Sequence, residues 1–120
     1  MAYDNSDVIG FIGRVDKENS TMRAIRNNSL LTVGRSHTCD VPVGEDMKAG
    51  RSHGLVEANN AVVSWRVCRT KNGTYVNGML VDYPQLVHLW DGDTIMVGNT
   101  PLTYMERRKM PVDRNATAIR

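Results

Sequence analysis

Apolar residues in this chain occur in short runs, separated by small polar and glycine-rich groups. Runs such as Leu30–Val33 and Thr94–Val97 are short and contain β-branched side chains, which suit strands. Turn-forming groups recur about every eight to twelve residues, a spacing typical of all-β sandwiches and barrels. The pattern therefore predicts an all-β sandwich of about eleven short, mostly antiparallel strands.

The apolar runs give approximate positions for these strands. The clearest ones cover residues 8–15, 22–25, 30–33, 40–43, 53–58, 61–68, 79–81, 86–90, 94–97 and 102–105. Pro42 predicts an edge strand, because proline has no amide hydrogen to donate to a neighbour. Residues 44–50 predict a flexible, charged loop. Trp65 and Trp90 lie within apolar runs and are predicted to pack in the core.

Composition limits the class of protein. The chain has 120 residues, 41% of them hydrophobic, which suits one core rather than two, and its net charge of +2 is too small to indicate a nucleic-acid partner. Neither a secretory signal nor an apolar run of membrane-spanning length is present, so we expect a soluble, intracellular protein. Cys39 and Cys68 lack the spacing of a zinc site and are predicted to be free thiols.

Three cations lie beside polar turns that a sandwich could bring to one end. Arg35 follows a strand, Arg51 begins Arg51-Ser52-His53, and Lys71 precedes an Asn-Gly turn. One guanidinium group can bind two phosphate oxygens at once. The arrangement therefore predicts an anion site, and phosphate is its natural ligand.

The same turns carry four motifs that resemble, in order, those of the forkhead-associated (FHA) domain, a phosphothreonine-binding module. The motifs are Val33-Gly34-Arg35, Arg51-Ser52-His53, the segment from Asn72 to Gly78, and the segment from Asp91 to Gly98. The resemblance covers residues 8–105. It implies an N-terminal extension at residues 1–7, an FHA domain at 8–105, and a basic tail or linker at 106–120.

The resemblance also implies roles for individual residues. Arg35 would contact the phosphate, Arg51 would assist it, and Asn72 would bond the peptide backbone beside the phosphothreonine. His53 would brace the loop. The structural positions of the motifs would be Gly34, His53, Gly73, Thr74, Asn77 and Gly78.

One position departs from the family pattern. The family has Ser-Arg-x-His, in which the Ser hydroxyl bonds the phosphate, whereas this chain has Gly50. Losing a hydrogen bond to a charged group lowers affinity by roughly ten- to more than a hundredfold. Ser52 is a poor substitute if strand alternation turns it away from Arg51. Lys71 and Thr70 are two further candidates for compensation.

FHA domains of DNA-damage mediator proteins self-associate, and the chain is similar to them in general character. This narrower resemblance predicts a nuclear homodimer in DNA-damage signalling, with Val8, Phe11 and Ile12 of the first strand as candidate contact residues. The favoured alternative is that the apolar residues of this strand pack inside their own sandwich.

Two versions of an interaction module follow. The leading one is a homodimerisation or scaffold domain whose phosphothreonine binding is weakened or lost; the alternative is a working reader of phosphothreonine-containing segments. No nucleophile motif, paired carboxylates or metal-ligand spacing indicates an enzyme, a catalytic residue, a cofactor, a metal or a small-molecule substrate. Only the basic tail favours nucleic-acid binding. We therefore do not expect the folded domain to bind nucleic acid.

Overall fold

Two β-sheets pack face to face in the computed structural model, which describes residues 7–14 and 22–107. Eleven strands and no helix occur in these residues. The strands are β1 (Val8–Arg14), β2 (Met22–Arg26), β3 (Ser29–Gly34), β4 (Val41–Pro42), β5 (Gly54–Asn59), β6 (Val62–Val67), β7 (Thr74–Val76), β8 (Met79–Val81), β9 (Leu86–His88), β10 (Thr94–Val97) and β11 (Thr100–Glu106). The predicted all-β sandwich is confirmed.

Five of the ten pairs of consecutive strands lie beside each other in a sheet. The six-stranded sheet has the order β2-β1-β11-β10-β7-β8, and the five-stranded sheet has the order β4-β3-β5-β6-β9. β3 and β4 pair in parallel, and the other pairs are antiparallel. β4 lies at a sheet edge, as Pro42 predicts.

The sequence pattern missed one strand. β7 spans only Thr74–Val76 inside the motif that we interpreted as a turn, and Asn77 and Gly78 connect it to β8. Both connecting residues have positive φ values, of 51° and 84°. A two-residue hairpin favours this backbone because its twist matches that of the strands.

The core lies between the sheets and contains Trp65, which is fully buried. Gly54 lies against the Trp65 ring, where a Cβ atom would come within 2.1 Å of it. The prediction of a buried Trp90 is wrong, because its side chain is 65% exposed. β9 ends at His88, so Trp90 lies beyond the strand and stacks on His88.

Two further sequence interpretations need correction. Val8 and Ile12 are buried in the core of the sandwich, so they are not available to a partner, and only Phe11 is partly exposed. Within the loop at 44–50, Asp46 and Ala49 are buried, so the loop packs on the sandwich rather than lying free in solvent.

The last strand extends to Glu106, and the Arg107 amide donates to the Ile9 carbonyl oxygen. The remainder of the predicted tail, residues 108–120, and residues 1–6 lie outside the described residues. In the described part of the chain no helix has the length and apolar character needed to cross a membrane.

Candidate anion-binding site

Three loops meet at one end of the sandwich and carry the residues of the sequence motifs. They are residues 35–40 after β3, residues 43–53 before β5, and residues 68–73 between β6 and β7. Hydrogen bonds between the loops, rather than strand pairing, hold them together. We call them the first, second and third site loops.

Arg35 is fixed to the second site loop by its backbone and by its side chain. Its amide donates to the Gly50 carbonyl oxygen at 2.8 Å, and its Nε donates to the Ala49 carbonyl oxygen at 3.1 Å. Because these bonds use Nε, the two terminal guanidinium nitrogens remain for a ligand. The side chain is half-buried.

Arg51 is brought beside Arg35 by close packing between backbones. The Arg51 carbonyl oxygen accepts from the Ser36 amide at 3.2 Å and from the Cys39 thiol at 3.4 Å. A Cβ atom at Gly34 would lie only 2.2 Å from the same oxygen, so the contact requires glycine. Arg35, Ser36, His37, Gly44 and Arg51 line one shallow, open depression. Two arginines and a serine therefore line a space suited to an anion.

His53 joins the second and third site loops from inside the protein. It is fully buried; its Nδ1 accepts from the Gly50 amide at 2.9 Å, and its Nε2 lies 2.8 Å from the Gly73 carbonyl oxygen. Since a carbonyl only accepts, the hydrogen must be on Nε2. Burial lowers the pKa of His53 below its usual value, although the Gly73 bond and the Asp46 charge oppose this shift. The ring is therefore a neutral brace.

Asp46 anchors the second site loop to the turn between β10 and β11. Its carboxylate accepts from the Thr100 hydroxyl and the Asn99 amide, both at 2.6 Å, and from the Lys48 amide at 3.0 Å. Burial raises the pKa of Asp46, but these hydrogen bonds outweigh it and leave the pKa below its ordinary value. The charged carboxylate thus holds the segment that bonds Arg35.

The third site loop has three exposed residues, Arg69, Lys71 and Asn72. The Asn72 amide group donates to the Lys48 carbonyl oxygen at 2.9 Å, and the Thr70 hydroxyl accepts from the Gly73 amide at 2.9 Å. Gly73 has a φ of 72°. Lys71 is exposed and is not part of the depression between Arg35 and Arg51. The structure thus unites the two arginines directly and joins Asn72 and Lys71 to them through the second site loop.

None of the three residues that we named to compensate for the missing hydroxyl, Ser52, Thr70 and Lys71, lines the depression. Residues 51–52 form a turn, so strand alternation does not orient Ser52, and its hydroxyl bonds the Cys68 thiol. Ser36 and His37 line the depression instead, and sequence reasoning missed both. Both directly follow Arg35 in the sequence, and this adjacency was the only available signal.

Other chemistry is not indicated at this end. Cys39 and Cys68 are free thiols, as predicted. Within residues 7–14 and 22–107, no group of three His, Cys, Asp or Glu side chains could hold a metal ion. Asp93 caps the turn before β10 by accepting from the Trp90 amide and from the Asn77 side chain.

The model of the FHA domain family matches residues 31–98, more than half of the chain. The chain therefore belongs to the FHA domain family, whose members are interaction modules. The match includes all three site loops. No curated protein matches the sequence.

Solved FHA structures share the fold. A domain studied for phosphothreonine-dependent FHA interactions has a TM-score of 0.72 and 21% identity, over 83% of this chain and 99% of that one. The FHA domain of CT664 from Chlamydia trachomatis has a TM-score of 0.73 and 17% identity, over 82% and 99%. The MEK1 FHA domain bound to a HOP1 phosphothreonine peptide has a TM-score of 0.68 and 20% identity, over 82% and 97%. At these identities the likeness establishes the fold.

Proposed function

We propose that this FHA domain is a non-catalytic interaction module that forms a homodimer and whose affinity for phosphothreonine is weakened by Gly50. The observation that carries the dimer is the outer face of the six-stranded sheet. The weakened affinity rests on the absence of a side-chain hydroxyl at position 50, directly before Arg51 in the second site loop. A nuclear role in DNA-damage signalling is part of the proposal and rests on sequence resemblance.

Most residues on the outer face of the six-stranded sheet are uncharged. The exception is Arg26 at the end of β2, which shares this face with Met22 and Ala24 and pairs with Asp7. Directly paired residues share a face, so the strand register identifies the other members of this face. They are Phe11, Gly13, Met22, Ala24, Tyr75, Leu80, Thr94, Met96, Pro101, Thr103 and Met105. A solvated sheet face ordinarily carries charged residues. Among the described strand residues of this face Arg26 is the only charged one, and this scarcity supports a protein contact.

The apolar residues of this face form two neighbouring groups. Leu80, Tyr75, Met96 and Pro101 form a row across β8, β7, β10 and β11. Phe11 pairs with both Met105 and Ala24 at the other side of the sheet. Leu80 is 51% exposed and Met105 is 48% exposed, so a partner could bury considerable apolar area. A second copy of the chain would present the same largely apolar face, which makes the contact self-complementary.

Tyr75→Glu tests this surface. We expect the native chain to sediment as a dimer and the variant to dissociate at least roughly tenfold more readily, because the dimer would bury an unpaired carboxylate. Tyr75 is 41% exposed, so the substitution should leave the monomer folded. Leu86→Glu is the matched control, since Leu86 is 51% exposed but belongs to the five-stranded sheet. A monomeric native chain, or equal dissociation of both variants, would contradict the proposed dimer.

The weakened phosphate affinity is tested by restoring the hydroxyl. In isothermal titration with a degenerate phosphothreonine peptide pool, Gly50→Ser should bind about ten- to a hundredfold more tightly than the native chain. Gly50→Ala is the control, because both variants place a Cβ atom 3.0 Å from the Thr70 methyl group and only one adds a hydroxyl. Gly50 bonds Arg35 and His53 through its backbone carbonyl oxygen and amide, so a side chain at position 50 should leave these hydrogen bonds in place.

The alternative function is a working phosphothreonine reader using Arg35, Arg51, Lys71 and Asn72. The shared depression of Arg35 and Arg51 favours it. In that case the native chain should bind the pool as tightly as Gly50→Ser does, and Arg35→Ala should abolish binding. If neither the native chain nor Gly50→Ser binds the peptide pool, residue 50 is not the cause of the low affinity.

A further inference from the structure

Charge is distributed unevenly over the site end of this nearly neutral chain. The three site loops contain five Lys and Arg residues that form no ion pair within the described residues. One of them, Arg69, lies over the Tyr83 ring. The other four are Arg35, Lys48, Arg51 and Lys71. Lys48, Arg51 and Lys71 are exposed, and Arg35 is half-buried. We call these four residues the basic strip.

Contacts between the loops make the basic strip continuous. Arg51 and Arg35 line the same depression. The Arg35 side chain bonds the Ala49 carbonyl oxygen, directly after Lys48, and the Lys48 carbonyl oxygen accepts from the Asn72 side chain, directly after Lys71. The strip therefore runs from Arg51 through Arg35 and Lys48 to Lys71.

The acidic residues of the same loops do not neutralise the basic strip. Asp40 accepts from the Thr32 amide and hydroxyl and pairs with Arg23. Glu45 pairs with Arg14. Asp46 is buried and bonded to Thr100 and Asn99. Each carboxylate thus has its own partner, so the surface of the strip is positive.

We propose that the ligand of this site is a phosphothreonine segment with acidic residues beside it, bound along the basic strip. This inference rests on the phosphate-binding part of the proposed function. Arg35 and Arg51 would bind the phosphate, and Lys48 and Lys71 would attract the flanking carboxylates. The added charge would offset part of the affinity lost with the hydroxyl at position 50. Lys48 becomes a specificity residue that no motif indicates.

A peptide suits the basic strip better than a nucleic acid does. The strip has only four cations. No Phe, Tyr or Trp lies in the site loops, at residues 35–40, 43–53 or 68–73, to stack on a base, and His37 is the only exposed ring there.

The experiment compares three peptides by fluorescence anisotropy at low and physiological salt. One has phosphothreonine among neutral residues, one has phosphothreonine among Asp and Glu residues, and one is the acidic peptide without phosphate. The native chain should bind the acidic phosphopeptide about three- to tenfold more tightly than the neutral one at low salt, and less so at higher salt.

The Lys48→Gln chain should lose most of this preference and still bind the neutral phosphopeptide as the native chain does. Arg66→Gln is the matched control, because it removes the same charge from an ion pair outside the site loops. Its preference should equal that of the native chain.

Equal native affinity for both phosphopeptides would overturn the inference and leave the phosphate site intact. Equal binding of the unphosphorylated acidic peptide, or of a single-stranded DNA of the same charge, would also overturn it. If the native chain binds neither phosphopeptide at low salt, both this inference and the phosphate-binding part of the proposed function are wrong. Sedimentation would still test the dimer separately.

Discussion

Replacing His53 with alanine should lower the free energy of unfolding by about 4 kcal/mol, one of the two largest effects that we expect. The change leaves the Gly50 amide and the Gly73 carbonyl group without their partner and creates a cavity in a fully buried position. Since Gly50 also bonds Arg35, phosphopeptide binding should weaken with stability. Chemical denaturation measures the first effect, and titration of the folded protein measures the second.

The buried ring also predicts a pH dependence. The folded pKa of His53 lies below the unfolded value, so the unfolded chain binds more protons in acid. Stability should therefore be complete above the unfolded pKa of about 6.5 and fall as the pH decreases, by at most about 1.4 kcal/mol per pH unit. Protonation of Nδ1 would also remove the acceptor of the Gly50 amide.

His37→Ala is the control for the stability measurement and for its pH dependence, because His37 is exposed. It should change stability by less than about 0.5 kcal/mol and keep the native pH dependence between pH 7.5 and 5.5. The stability of His53→Ala should decrease less than that of the control over this pH range, because the contribution of His53 is missing. If both variants keep the native dependence, His53 is not the group responsible.

Gly34→Ala should destabilise the domain by about 3 kcal/mol and abolish phosphopeptide binding. The added Cβ atom would lie 2.2 Å from the Arg51 carbonyl oxygen and 3.0 Å from that of Gly50. These are backbone atoms, so the second site loop must move away from β3, and Arg51 moves with it. Overpacking of this kind costs about 1 to 3 kcal/mol, and a backbone contact belongs at the upper end.

Gly44→Ala is the matched control for this substitution. Gly44 lines the same depression, but a Cβ atom there would lie 3.4 Å from the Arg35 carbonyl oxygen, an ordinary contact. We expect native stability and native affinity for phosphopeptide. Thermal unfolding and titration of both variants decide the matter: a Gly34→Ala chain as stable as Gly44→Ala would show that the close contact is not required.

The sequence was most informative where local chemistry dictates local structure. Turn residues and β-branched runs located ten of the eleven strands, because strand propensity and turn chemistry act over a few residues. Asn77-Gly78 indicated a turn, but β7 before it is too short to give a periodic signal. The prediction for Trp90 was wrong for a related reason. An apolar run predicts a strand but does not fix where the strand ends. Here β9 ends two residues before Trp90, and the side chain is exposed to solvent.

The sequence by itself determined the family, the all-β sandwich, Arg35 and Arg51 as the central cations, and the missing hydroxyl at Gly50. These follow from residue types at fixed spacings. Only the tertiary structure decided that Val8 and Ile12 are buried, that one sheet has an outer face with a single charged residue, and that Lys48 lies beside the arginines. Such features depend on strand register and on hydrogen bonds between loops distant in sequence, and a net charge of +2 conceals a basic strip whose neighbouring acids are all paired elsewhere.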